Sequence, residues 1–152
     1  FKVNPPLRLE SDVLALRAGL ADGTIDIVAT DHAPHSSESK DCEWSVASFG
    51  MVGLETALSI VIKTMVETRA MNYEDVAQRL SIAPARIARY ENHGQALEVG
   101  SVANLTVVDT MVKWVVDRDL MSTRSKNTPF HGFELPGVVT HTFFNGKLVF
   151  GE

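Results

Sequence analysis

The residues best suited to chemistry lie in the run Thr30-Asp31-His32-Ala33-Pro34-His35, which gathers one carboxylate and two imidazoles. These are the side chains most often used to hold and pass protons. They follow directly on the apolar stretch Ile25-Asp26-Ile27-Val28-Ala29. In α/β barrels the active site is built at the C-terminal ends of the strands, so a polar cluster at a strand end reads as chemistry rather than as stability. The plain alternative is a helix-capping Asp followed by two surface histidines.

The elements that must position this cluster can be read around it. Asn4 lies 27 residues before Asp31, with one helical pattern and one strand pattern between them. That spacing suits a βαβ unit of roughly 30 residues, which would bring both residues to the same end of adjacent parallel strands. Residues 1–8 read as a strand end and a loop, because Pro5-Pro6 forbids helix. Ser11 offers an N-cap, and Val13, Leu14, Leu16, Ala18 and Leu20 an apolar helix face ending at Asp22-Gly23. Residues 25–29 are near-continuously apolar, as in a strand covered on both faces. The polar stretch 31–48 is a long loop, and loops of that length inside a compact domain are usually functional. A helix is expected from about Val52 to Thr68, with Leu54, Leu58, Val61, Ile62 and Met65 in period. Asn72 should cap a short helix that turns Tyr73, Val76 and Leu80 inward, and another should run from Pro84 through an inward Ile87 to Tyr90. Beyond Gly94 the pattern becomes β: strands at 103–109 and 113–117, loop at 118–137, and strands at 138–144 and 147–150 around Asn145-Gly146. Asn-Gly between apolar runs is the strongest short hairpin signal.

Three segments together carry a resemblance: Lys-Val-Asn-Pro-Pro-Leu-Arg at 2–8, Asp-His-Ala-Pro-His at 31–35, and Ser48-Phe49-Gly50-Met51-Val52-Gly53-Leu54-Glu55-Thr56. With Gly100 to Asp109, Thr128-Pro129-Phe130-His131-Gly132 and Asn145-Gly146-Lys147, the chain resembles the last third of a bacterial dihydroorotase of the amidohydrolase superfamily. The Gly-Ser-x-Ala-Asn-Leu element is weakly specific; Asn-Pro-Pro-Leu-Arg combined with Asp-His-Ala-Pro-His is much more so.

The resemblance implies an α/β fold: the C-terminal part of a metal-dependent (β/α)8 barrel over 1–94, followed by strands of a small β-sandwich over 95–152. It implies a hydrolase of pyrimidine biosynthesis that converts dihydroorotate reversibly to N-carbamoyl-L-aspartate. Zinc, one or two ions, is the implied cofactor. Asp31 is the implied catalytic residue and a zinc ligand, shuttling a proton from the attacking oxygen to the departing ring nitrogen. His35 and Asn4 are the implied substrate-binding side chains, and the backbone of Phe49 and Gly50 is expected to meet the substrate ring. His32 is read as packing or as orienting Asp31. Arg8 is either an aid to an anionic substrate or a loop-bracing ion pair; Lys40, Asp41 and Glu43 are a solvated face; Glu55 pairs locally; Trp114 packs; and His93, His131 and His141 receive no role.

Composition narrows the classes. The chain has 152 residues, 45% hydrophobic and 22% charged, with net charge −5. This is ordinary for a globular chain and argues against a nucleic-acid or membrane surface. No apolar run approaches a membrane span, and residues 1–8 lack the apolar core of a signal peptide. The single cysteine, Cys42, has no internal partner and reads as a plain loop thiol, which fits a cytoplasmic setting. A full barrel takes roughly 250 residues, so the chain reads as a C-terminal portion. It has no His-x-His pair, and the superfamily's other metal ligands are not found in it. Alone it is expected to be inactive, since zinc sites use three or four protein ligands. Its unpaired edges suggest a homodimer or association. Two other readings stand beside the first: a catalytically inactive scaffold for aspartate transcarbamoylase, and a related cyclic amidase acting on hydantoins, dihydropyrimidines or allantoin.

Overall fold

The computed structural model describes residues 2–151. Phe1 and Glu152 lie outside them, so the expected strand end at 1–8 is tested only from Lys2 onward. Helix α1 (Glu10–Asp22) opens one residue before the anticipated Ser11 cap, with Leu9 at the N-cap. The Asp12 carboxylate accepts from Leu9 N–H at 3.2 Å and lies 3.6 Å from Arg8 Nε, which is the bracing role for Arg8. Gly23 closes α1 in the left-handed region at φ 91°, where a side chain would be strained. The Thr24 amide, donating to Asp22 at 2.8 Å, holds that carboxyl below its usual range. The expected apolar face is only partly covered: α1 has no buried residue, and Leu14 and Leu16 are exposed.

The expected strand at 25–29 forms no ladder among the described residues. A strand is defined by its neighbour, and here the described residues supply one parallel bridge, His32 to Met51, just beyond the segment. The 31–48 loop contains a single turn of helix, α2 (Ser37–Lys40). The helix expected from Val52 begins later, as α3 (Ala57–Val61), and widens into a π turn over Ile62–Val66. Residues 54–56 form a turn instead, which leaves Leu54 outside. Thr64 Oγ1 donates back to Ile60 O at 2.7 Å, a contact that loosens the helical ladder.

Asn72 caps α4 (Tyr73–Ala77) as expected, exchanging bonds with Asp75 at 2.9 Å in both directions. A second π turn, Gln78–Ile82, leads without a break into α5 (Ala83–Ala88), so Pro84 sits inside a continuous helical run, where its missing N–H removes one bond from the ladder beside the π turn. Val76 is buried, but Tyr73 and Ile87 face outward, contrary to the helical period. The second π turn explains Ile87: it adds a residue to the turn and rotates the face that follows. Tyr73 precedes that turn, at the first residue of α4.

The β region is a three-stranded antiparallel sheet in the order β1 (Leu105–Val115), β2 (Glu134–Phe144), β3 (Lys147–Phe150). The two strands expected before residue 118 are one strand with a bulge: the register with β2 shifts between Asp109 and Lys113. β2 also starts earlier than expected, at Glu134, carrying Pro136 opposite Lys113. The hairpin at Asn145-Gly146 forms as read, both residues at positive φ (49° and 76°). The bound loop ahead of β1 ties in at Asn104, which donates to Asn92 O at 2.9 Å and accepts from Asn145 N–H at 2.8 Å.

Two cores hold these parts. Val61, Met65, Met71 and Val76 pack with Leu20 and Val28 on the helical side. Val52, Val116, Met121 and Leu135, with Trp114 and Phe130, join the sheet to the segment that follows the site. The seam is also polar. Ser59 Oγ donates to Gly137 O at 3.0 Å and accepts from Trp114 Nε1 at 3.1 Å, so Trp114 packs as expected. A Cβ on Gly137 would lie 2.8 Å from Ile62 Cδ1, so a side chain there would displace the buried Ile62 tip and strain a backbone at φ 83°.

Candidate functional site

Asp31 follows the apolar 25–29 segment at φ 43°. Asp is one of the few residues that tolerates this left-handed conformation, common at functional turns. From here the chain runs beside residues 50–53. Ala33 N–H donates to Met51 O at 2.9 Å. His32 Nδ1 accepts from Gly53 N–H at 3.1 Å and Leu54 N–H at 3.2 Å. An accepting Nδ1 places the ring proton on Nε2 in the neutral form. His32 is therefore the anchor that fastens the Asp31 turn to the 53–56 turn.

Gly50 lies against the other end of the run. A Cβ there would meet Ala33 Cβ at 2.5 Å and His35 Nε2 at 3.3 Å, and its φ is 122°. No other residue allows the 49–51 segment this near to His35. The polar groups of Gly50 are all engaged: its N–H donates to Lys2 O at 2.9 Å, and its carbonyl accepts from Lys40 Nζ at 3.0 Å and Asn127 Nδ2 at 3.3 Å. Lys40 also donates to Ser48 O at 2.8 Å. It is thus a half-buried tie, not part of the solvated face expected for it; Asp41 and Glu43 are exposed.

Lys2 is buried, donates to Ser45 O at 2.9 Å, and stands 4.6 Å from the Phe49 ring and 5.1 Å from the Trp44 ring. Two aromatic faces and a carbonyl offset the desolvation of its ammonium. Asn4, two residues on, is exposed at a bend. Among the described residues, no hydrogen bond or ion pair links Asn4, Asp31 and His35 to one another. The structure therefore gathers Asp31, His35, Phe49 and Gly50 on adjoining segments, and Asn4 makes no hydrogen bond to them among the described residues.

A half-open cavity of about 670 Å³ adjoins the His35 side, walled by Lys2, His35, Lys40, Trp44, Arg118 and Asn127, among others. That volume suits a small molecule. Asp31, Asn4, Phe49 and Gly50 are not in its walls. Three contributors to the site escaped the sequence reading: Lys2, Lys40 and Asn127. All act through backbone carbonyls far along the chain, a role with no compositional signal. Glu55 likewise pairs at long range, accepting from Ser122 N–H and Thr123 N–H at 2.9 and 3.0 Å rather than locally. Cys42 is an exposed thiol, as read.

The donor set for a metal is incomplete. Among the described residues no three His, Cys, Asp or Glu side chains come close enough to hold an ion. Asp31 offers one ligand where a site needs three or four. Among the described residues, no helix is long and apolar enough to cross a membrane.

The chain is similar to known proteins over nearly all of its length. It is 58% identical over 147 residues to a dihydroorotase of Streptomyces coelicolor, covering 97% of this chain and 34% of that protein. It is 53% identical, with the same coverage, to a dihydroorotase of Mycobacterium leprae. Among solved structures, an L-hydantoinase (dihydropyrimidinase) from Arthrobacter aurescens superposes with a TM-score of 0.89 at 30% identity, over 99% of this chain and 35% of that one. The chain thus spans about a third of the length of the relatives it matches. A profile of the amidohydrolase family, whose enzymes are generally metal-dependent, matches residues 3–149. With that match across nearly the whole chain, this protein belongs to the amidohydrolase family.

Proposed function

We propose that the chain is the C-terminal portion of a dihydroorotase, which hydrolyses dihydroorotate reversibly to N-carbamoyl-L-aspartate in pyrimidine synthesis. Residues 1–94 are then the last strands and helices of a (β/α)8 barrel, and 95–152 strands of a small β-sandwich. The observation that carries the reading is the docking of the Asp31–His35 run onto Phe49–Gly50, with Gly50 as the only residue type that admits His35 there. The unladdered 25–29 segment fits a barrel strand whose neighbour lies elsewhere in the parent protein.

In this reading the attacking oxygen bonds to the ring carbonyl carbon, the ring C–N bond breaks, and the nitrogen leaves with a proton. Asp31 takes the proton from the attacking oxygen at its carboxylate and delivers it to the nitrogen. His35 and Asn4 donate to the anionic and amide edges of the substrate. The backbone of Phe49 and Gly50 meets the substrate ring, Gly50 allowing the close approach. Zinc, one or two ions with most ligands outside this chain, would supply an acidified water and a polarised carbonyl. The isolated chain is inactive in this reading, the parent cytoplasmic, and a homodimer or aspartate transcarbamoylase its candidate protein partners.

The structural likeness to a hydantoinase favours a second reading, a related cyclic amidase. Competition between dihydroorotate and hydantoin in the full-length enzyme tests both. Preference for dihydroorotate is expected; preference for hydantoin replaces the first reading with the second. Turnover of neither substrate, with tight association to aspartate transcarbamoylase, would establish the scaffold instead.

A further inference from the structure

Asn127 reaches the site from a segment 94 residues away in sequence. Its Nδ2 donates to Ala33 O at 2.9 Å and to Gly50 O at 3.3 Å, and its own backbone carbonyl accepts from Val52 N–H at 3.2 Å. It touches no expected reacting group. It does join the two segments that carry those groups, one residue past Met51, where their parallel contact ends.

We infer that Asn127 is a positioning residue that fixes the His35 loop against the Phe49–Gly50 segment. Two carbonyl oxygens converge on one point there and repel each other. A carboxamide nitrogen carries two protons on a single atom and satisfies both. The opposite amide orientation would aim Oδ1 at two acceptors, so the donor geometry fixes the side chain. Lys40 cannot replace it: its ammonium reaches Gly50 O and Ser48 O, both on one segment, and makes no bond across to Ala33. Asn127 makes the only side-chain bond between the two segments' carbonyls among the described residues. It does so with its Oδ1 buried and without a hydrogen-bond partner among them. The kinetic side of the inference rests on the dihydroorotase reading; the structural side does not.

The test uses the full-length enzyme with Asn127→Asp, which keeps the shape and removes both donors, and Asn127→Ser, which keeps one donor and covers the case in which the Asp variant fails to fold. Hydrogen exchange is followed in peptides spanning 30–36, with the β1–β2 ladder as the internal control. The expected result is exchange about tenfold faster at Ala33, with the ladder unchanged. In parallel, kcat/KM for dihydroorotate should fall about 10- to 100-fold, mostly through KM, as for a displaced binding group. Unchanged exchange at 30–36 overturns the inference. So does acceleration spread evenly over the protein, which would mark a merely structural residue, or local loosening with a wild-type KM. If the wild-type enzyme does not act on dihydroorotate, the functional reading falls, and the exchange result alone decides the clamp.

Discussion

Two asparagines fasten two regions of this chain, and they do it differently. At the hairpin, Asn104 uses both ends of its carboxamide, donating to Asn92 O and accepting from Asn145 N–H. At the candidate site, Asn127 spends its nitrogen on two carbonyls and leaves a buried oxygen without a partner among the described residues. A buried acceptor without a bond costs about 1–3 kcal/mol. The hairpin is therefore bonded for stability, while the site accepts a deficit to hold two loops in one arrangement. The same contrast runs through the backbone. β2 and β3 satisfy each other across a two-residue turn, whereas residues 31–35 and 48–54 share a single backbone bridge, Ala33 N–H to Met51 O, and are otherwise tied by the side chains of His32 and Asn127.

The largest effect expected from this contrast is at Asp31. In the full-length enzyme Asp31→Asn should lower kcat by about 10²–10⁴-fold, the usual worth of a proton-transfer group. Stripped of metal, the variant should melt within a degree or two of the stripped wild type, because Asp31 makes no hydrogen bond among the described residues. Equal losses of activity and stability would erase the distinction between the regions.

Leu135→Ala comes next and should act in the opposite sense. Leu135, on β2, is fully buried in the cluster with Val52, Val116 and Met121, so truncation should cost about 2–5 kcal/mol in denaturant unfolding. The surviving folded enzyme should keep its KM.

Gly50→Ala crosses the two regions. The new methyl would meet Ala33 Cβ at 2.5 Å, an overlap that backbone must relieve at about 1–3 kcal/mol. Activity should fall further than that stability loss accounts for, since His35 is pushed aside. A variant with near-normal kcat/KM would show that the 49–51 contact does not position His35.

The smallest effect sharpens the comparison most directly. Asn104→Ala should cost about 1–2 kcal/mol through its two lost hydrogen bonds, with unchanged kinetics. Thermal unfolding and steady-state rates on the same preparation decide it. A KM change there would mean that the hairpin tip communicates with the site.

Much of this was legible because its causes are local. The Asn72 cap, the Gly23 stop and the Asn145-Gly146 turn each rest on residues within three or four positions. The Asp31–His35 cluster was also legible, by residue type and by likeness to a family. The helix faces were less so. The π turn at 78–82 shifts the phase ahead of Ile87, which turns outward where a regular 3.6-residue period points it in. The break at Asp109 to Lys113 was visible, but whether it ended a strand or bulged one depended on β2 continuing past it to Glu134.

By itself, the sequence determined the chemistry available and the short-range punctuation: which residues carry protons, where helices start, where the hairpin turns. Tertiary structure alone decided which carbonyls needed holding and which side chains hold them. Lys2, Lys40 and Asn127 carry no sequence mark of that duty, because a hydrogen bond to a backbone carbonyl 8 to 94 residues away depends on where folding brings that carbonyl.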